Sequence, residues 1–172
     1  MKRGFVIALL LIFLMPAFIF AQERVLITVP SGQYVTAING GGMGEAANAL
    51  PLHTDATKIG PWERFTLIRV DQIHFAIRTP DNRHYLTAVN GGGIGEAANT
   101  LPLHSDARSA GAWETFFLVP LGGEVYAIRT PDGRHYLTAV NSGGIGEAAN
   151  TLPFHTDATQ IGPWEKFRII RH

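Results

Sequence analysis

Tyr85-Leu86-Thr87-Ala88-Val89-Asn90-Gly91-Gly92-Gly93-Ile94-Gly95-Glu96-Ala97-Ala98-Asn99 returns at Tyr136 with one exchange, Ser142 for Gly91, and a looser copy begins at Tyr34. The same step carries Trp62 to Trp113 and Trp164, each 51 residues on, and His53 to His104 and His155. From Tyr34 to Phe65 the three copies need no insertion or deletion. A period of this length marks a repeat architecture. Any surface site carried by the unit is then presented three times.

Within one unit, short alternating runs are broken by turn residues at regular intervals, the pattern of β structure throughout. In the second copy the expected strands are Phe75–Thr79, Tyr85–Val89, Leu101–Ser105 and Trp113–Val119. Pro80-Asp81-Asn82-Arg83 supplies a turn with proline and Asx chemistry, and Gly91–Gly93 permits a tight loop. Glu96–Asn99 is expected to form one helical turn. Pro102 in the third strand suggests an edge position. Period-two alternation puts Phe65 with Leu67, Phe116 with Leu118 and Phe167 with Ile169 on the core face. It sets Leu50, Leu52 and Thr54 on one side of the third strand and His53 with Asp55 on the outer one. Tyr34, Tyr85 and Tyr136 are expected to be half-buried.

Gly60-Pro61-Trp62-Glu63-x-Phe65, the glycine-rich loop before it and the Gly-x-Tyr-Val/Leu-Thr-Ala turn together resemble the fascin-like family of β-trefoils. The likeness covers residues 22–172, with repeats of about 22–72, 73–123 and 124–172. It implies an all-β fold, a pseudo-threefold six-stranded barrel capped by three hairpins. Fascin itself is cytoplasmic and joins several trefoils to bundle actin, whereas this chain carries one unit. The Gln-x-Trp mark of ricin-type lectins is missing, so neither function transfers residue by residue.

Residues 1–21 lie apart from the repeats. Lys2 and Arg3 precede an apolar run from Gly4 to Phe20, and Ala21 is a small residue at the expected cut, the pattern of a secretory signal peptide. The expected product is secreted or periplasmic, with no membrane contact after cleavage. Without Lys2 and Arg3, 12 basic residues face 14 acidic ones, a formal charge of −2. That balance gives no basic footprint for nucleic acid. The chain has no cysteine, so the core must hold the fold without disulfide staples. A single domain and a monomer are expected.

The candidate ligand-binding residues are Asn39, Glu45, Asn48, His53 and Asp55, then Asn90, Glu96, Asn99, His104 and Asp106, then Asn141, Glu147, Asn150, His155 and Asp157. Amides and carboxylates make the paired hydrogen bonds that sugar hydroxyls accept and donate, and Trp113 and its copies add an aromatic face. Between Tyr85 and His104 the second and third copies differ at two of twenty positions, while Arg69–Ile73 and Pro120–Glu124 have diverged freely. Either a ligand or the backbone geometry of the glycine loop holds that segment fixed. A histidine and an aspartate two apart can chelate, with Glu96 as a further donor to His104. The favoured reading instead bonds each histidine to its own repeat's loop, so no metal and no cofactor is assigned. A lone acid repeated around an axis makes a poor active site, so no enzymatic activity is expected. Glu63 is read as structural, accepting backbone hydrogens from the glycine loop. The favoured function is carbohydrate binding through up to three weak, nearly equal sites. The alternative is a protein-binding module, through actin by family analogy or as a trefoil inhibitor.

Overall fold

The computed structural model describes residues 21–172, and the expected leader falls outside them except for Ala21. Twelve strands follow in order: β1 (Gln22–Thr28), β2 (Tyr34–Ala37), β3 (Leu52–Ala56), β4 (Phe65–Arg69), β5 (His74–Arg78), β6 (Tyr85–Ala88), β7 (Leu103–Ala107), β8 (Thr115–Gly122), β9 (Val125–Arg129), β10 (Tyr136–Ala139), β11 (Phe154–Ala158) and β12 (Phe167–Arg171). Six of them close a ring of antiparallel pairs. β1 pairs with β4, β4 with β5, β5 with β8, β8 with β9, β9 with β12, and β12 returns to β1. Closure leaves the barrel without a free edge. The other six form the hairpins β2–β3, β6–β7 and β10–β11. The chain is a β-trefoil.

The core follows the period-two reading. Phe65, Phe116 and Phe167 are essentially inaccessible, with Leu67 and Ile169 beside them, and Leu118 packs half-buried against the same cluster. Val25, Ile77 and Ile128 fill the barrel from the intervening strands. Leu52 and Thr54 point inward while Asp55 is exposed. Tyr34, Tyr85 and Tyr136 are half-buried.

Three local expectations shift. β7 starts at Leu103 rather than Leu101, because the Pro102 carbonyl is taken by the Val89 N–H at 3.0 Å in the turn that precedes it. Pro102 therefore sits ahead of the strand, not within an edge. β8 starts at Thr115 rather than Trp113, because Gly111–Glu114 is a turn closed by Glu114 N–H donating to the Gly111 carbonyl at 3.3 Å. Pro61–Glu63 and Pro163–Glu165 are 3-10 turns in the same place. The expected helical turn is one short turn in each copy, closed by the Ala47, Ala98 and Ala149 N–H groups donating to the Gly44, Gly95 and Gly146 carbonyls at 3.1 Å.

Candidate functional site

The repeated loop leaves β2, β6 or β10 through a residue in the left-handed region. Asn39, Asn90 and Asn141 have φ of 57°, 57° and 54°, a conformation that asparagine tolerates better than most side chains. Gly92 follows at φ +127°, and a Cβ added there would lie 2.7 Å from Thr130 Cβ. Backbone geometry therefore accounts for the asparagine and the glycine run.

The loop then docks on the next repeat. Ser105 N–H donates to the Met43 carbonyl at 2.8 Å, and Gly42 N–H donates to the Ser105 carbonyl at 2.7 Å. Thr156 makes the same exchange with Ile94 and Gly93, and Thr54 with Ile145 and Gly144. The third exchange closes the circle, because it joins the last loop to the first repeat. Thr54, Ser105 and Thr156 are fully buried, and their hydroxyls bond the same loop backbones. Gly44, Gly95 and Gly146 press against the carboxylates of Asp106, Asp157 and Asp55, leaving no room for a side chain.

The histidines follow this docking, which corrects the expected pairing. His104 Nε2 lies 3.2 Å from Glu45, His155 Nε2 2.9 Å from Glu96, and His53 Nε2 3.1 Å from Glu147. Each histidine meets the glutamate of a neighbouring repeat's loop, not its own, so Glu96 is not the partner of His104. His53 Nδ1 and His104 Nδ1 stand 4.0 Å from Asp55 and Asp106. The same Glu45 carboxylate accepts the Leu101 N–H and the Thr100 hydroxyl, both at 3.2 Å. The Leu101 N–H is the largest influence on this carboxyl; burial opposes it, and the hydrogen bonds from His104 and Thr100 help to hold it below its ordinary value. Among the described residues, no three histidine, aspartate or glutamate side chains gather as a metal site would require.

The docked loops surround one open, shallow cavity of about 510 Å³ at the end of the pseudo-threefold axis. Its polar lining is Glu45, Glu96 and Glu147 with Asn48, Asn99, Asn150, Thr100 and Thr151, and Leu50, Leu101 and Leu152 supply the apolar part. Deeper on the axis, Pro51, Pro102 and Pro153 with Leu52, Leu103 and Phe154 leave only about 10 Å³. Six of the fifteen expected residues thus share a single cavity. His53, His104 and His155 stand behind its glutamates, Asp55, Asp106 and Asp157 brace the loops, and Asn39, Asn90 and Asn141 lie outside the lining. The glutamates and second asparagines of the three repeats line one axial cavity, because each loop reaches into the next unit. The leucines and threonines of the lining were missed. They occupy the link between loop and strand, where alternation has no meaning, and only the convergence on an axis reveals them.

Glu63, Glu114 and Glu165 are buried structural acids. Glu63 accepts the Thr36 hydroxyl at 2.7 Å and the Gly60 N–H at 2.6 Å. Its backbone partner is thus Gly60 of its own turn rather than the glycine-rich loop. Beside these acids, Trp62, Trp113 and Trp164 remain 43%, 47% and 42% exposed.

No protein-family model and no curated protein sequence matches this chain. Solved structures do. The designed threefold-symmetric protein ThreeFoil aligns at 12% identity and a TM-score of 0.64, over 87% of this chain and 97% of its own. The Rhizoctonia solani agglutinin aligns at 13% identity and 0.61, over 88% and 96%. A ricin B-like lectin from Macrolepiota procera, solved with lactose, aligns at 15% identity and 0.55, over 87% and 96%. At such identities the likeness is one of fold, and it establishes the β-trefoil independently of the strand pairing.

Proposed function

We propose that this chain is an exported, non-enzymatic carbohydrate-binding module of fascin-like character, acting as a monomer and taking its glycan in the axial cavity. The cavity carries the reading. Its volume falls within the range that holds small ligands. It offers three amides and three carboxylates at the rim with leucines beneath, the mixture that a sugar's hydroxyls and C–H faces demand. Lectins of the same fold, one of them holding lactose, support the class. The pseudo-threefold arrangement also suits a sugar unit that can bind in any of three orientations.

The test is a glycan array probed with residues 22–172 and with the triple variant Asn48→Ala, Asn99→Ala, Asn150→Ala, with a thermal melt of each. The expected result is retention of the parent on at least one glycan, with at least about tenfold weaker binding by the variant at an unchanged melting temperature. If the parent is retained on no glycan, the carbohydrate reading fails. If the triple variant binds as the parent does, the cavity is the wrong place.

A further inference from the structure

The three tryptophans have identical spacing and nearly identical exposure, yet their surroundings are not threefold. A Cβ added at Gly40 would lie 3.8 Å from Trp62 Cδ1 and 3.6 Å from Asp81 Cβ. Gly40 is thus the floor between an indole from one repeat and a carboxylate from the next. Gly91 repeats the arrangement, with Trp113 Cδ1 and Asp132 Cβ each 3.8 Å away. The Asp81 and Asp132 N–H groups hold the two walls together by donating to the Gly40 and Gly91 carbonyls at 3.0 Å. In the third copy the floor residue is Ser142, which carries its own side chain, and the facing turn is Ser31-Gly32-Gln33, whose Ser31 N–H bonds the Ser142 carbonyl at 2.9 Å.

The two acidic walls are built alike. Asp81 Oδ2 lies 2.5 Å from His84 Nδ1, and Asp132 Oδ2 lies 2.5 Å from His135 Nδ1. Each Oδ1 accepts a threonine hydroxyl and two backbone N–H groups. Partial burial raises the Asp132 pKa, but those hydrogen bonds outweigh it and bring the carboxyl to about 2, so it is an ionised acceptor at neutral pH. The aspartate fixes the imidazole through Nδ1, and Nε2 is the ring nitrogen left for a hydroxyl. Ser31 and Gln33 bond each other at 2.8 Å in the corresponding place, with neither charge nor imidazole.

Around these walls the tryptophans stay, with the glutamate after each, while other nearby positions drift. Lys58, Ser109 and Gln160 occupy one repeat position, and Arg64, Thr115 and Lys166 another. More than two fifths of each tryptophan is exposed, so the indole presents free surface. A large exposed aromatic face beside an ordered hydrogen-bonding pair suits one ligand chemistry: a pyranose ring, its C–H face on the electron-rich indole face and its edge hydroxyls on the carboxylate and imidazole.

We propose two peripheral sugar subsites, one at Trp62 with Asp81 and His84 and one at Trp113 with Asp132 and His135, with Trp164 an unproductive third copy. The inference rests on the carbohydrate reading above but uses different residues from the axial cavity. A chain with two such subsites and an axial site engages a polysaccharide at several points, and linkage raises retention well beyond any one contact.

The chain's three tryptophans provide the readout. Three variants each keep one tryptophan and carry phenylalanine at the other two positions. Each is titrated with lactose, maltose, cellobiose and N,N′-diacetylchitobiose while its fluorescence is followed. At least one sugar should shift the emission of the variants keeping Trp62 or Trp113, and none should shift that of the variant keeping Trp164. Asp81→Asn and Asp132→Asn, each made in the matching single-tryptophan background, should weaken the response at least about tenfold. A second measurement uses the unsubstituted ring set: Asp81→Asn with Asp132→Asn in the otherwise native chain, tested on the same sugars by calorimetry. An equal response from Trp164, or no response from Trp62 and Trp113 to any of the four sugars, overturns the proposal. Binding that persists by calorimetry but is lost with the Asn48, Asn99 and Asn150 substitutions leaves the axial reading intact and removes only these subsites. No binding by either measurement removes both.

Discussion

At the scale of single residues, the threefold repeat turns one packing argument into three. Phe65, Phe116 and Phe167 sit in equivalent, closed environments, each next to an aliphatic partner two residues on. Truncation empties a site that the surrounding barrel cannot collapse into, because its strands are fixed by a closed ring of pairs. Phe116→Ala should therefore cost about 3–5 kcal/mol, and the same change at Phe65 or Phe167 should cost a similar amount. Denaturant melts of the three variants measure this, and a midpoint near the parent's for any of them contradicts the face assignment. The buried glutamates are less forgiving than their exposed namesakes. Glu114 takes the Thr87 hydroxyl and the Gly111 N–H at 2.8 Å each, so its carboxylate is repaid for burial. Alternation identified the phenylalanines from sequence alone. It did not name the partners of Glu63, because that residue belongs to a turn with Gly60 and the Thr36 hydroxyl comes from 27 positions away.

At the scale of the loop, glycines that look alike in sequence have different burdens. Gly92 takes φ +127° with Thr130 close against the position of its absent Cβ, whereas Gly133 takes φ +70° with nothing within 4 Å. Its counterpart in the preceding repeat is already a non-glycine, Asn82, at φ 60°. Gly92→Ala should then destabilise by more than the roughly 1–2 kcal/mol of left-handed strain alone, since a clash adds to it. Gly133→Asn should stay within about 0.5 kcal/mol of the parent. Paired chemical melts decide the matter, and equal costs for the two would show that the loop yields where the geometry makes it rigid. The same contrast explains what could be read from the sequence here. The glycine run and the near-identity of the second and third copies were visible, and backbone geometry with cross-repeat docking supplies a cause that requires no ligand. The partners were not visible. His53 meets Glu147 across 94 positions, and a reading confined to one repeat pairs it with its own loop instead.

For the whole molecule, the decisive feature is that the repeats are joined in two different ways. The barrel ends of adjacent units are connected by the plain links around Val70–Ile73 and Leu121–Glu124, and the first and last described strands, β1 and β12, lie side by side at the third equivalent place. The cavity ends are joined by loops that reach into the next unit and close a circle. Strand order made the barrel legible once the family resemblance supplied the topology, but nothing in the period says that the loops are shared. Cutting the chain distinguishes the two kinds of joint. A circular permutant of residues 22–172 that starts at Ile73, with His172 linked to Gln22 by a short flexible segment, moves the opening from one plain link to another. It should melt within a few degrees of the parent and keep the proposed glycan binding, since exposed loop tips tolerate such cuts. A permutant opened between Ala97 and Ala98 instead frees one rim of the axial cavity and frays the clasp of Glu96 on His155 and Ile94 on Thr156. It should be markedly less stable and should lose axial binding, while the Trp62 response survives, because Gly40 and Asp81 belong to a joint that the cut leaves whole. Thermal melts and the fluorescence titration of both permutants provide the comparison. If opening the loop leaves stability and axial binding unchanged, the cross-repeat clasp is not what holds this end of the trefoil together.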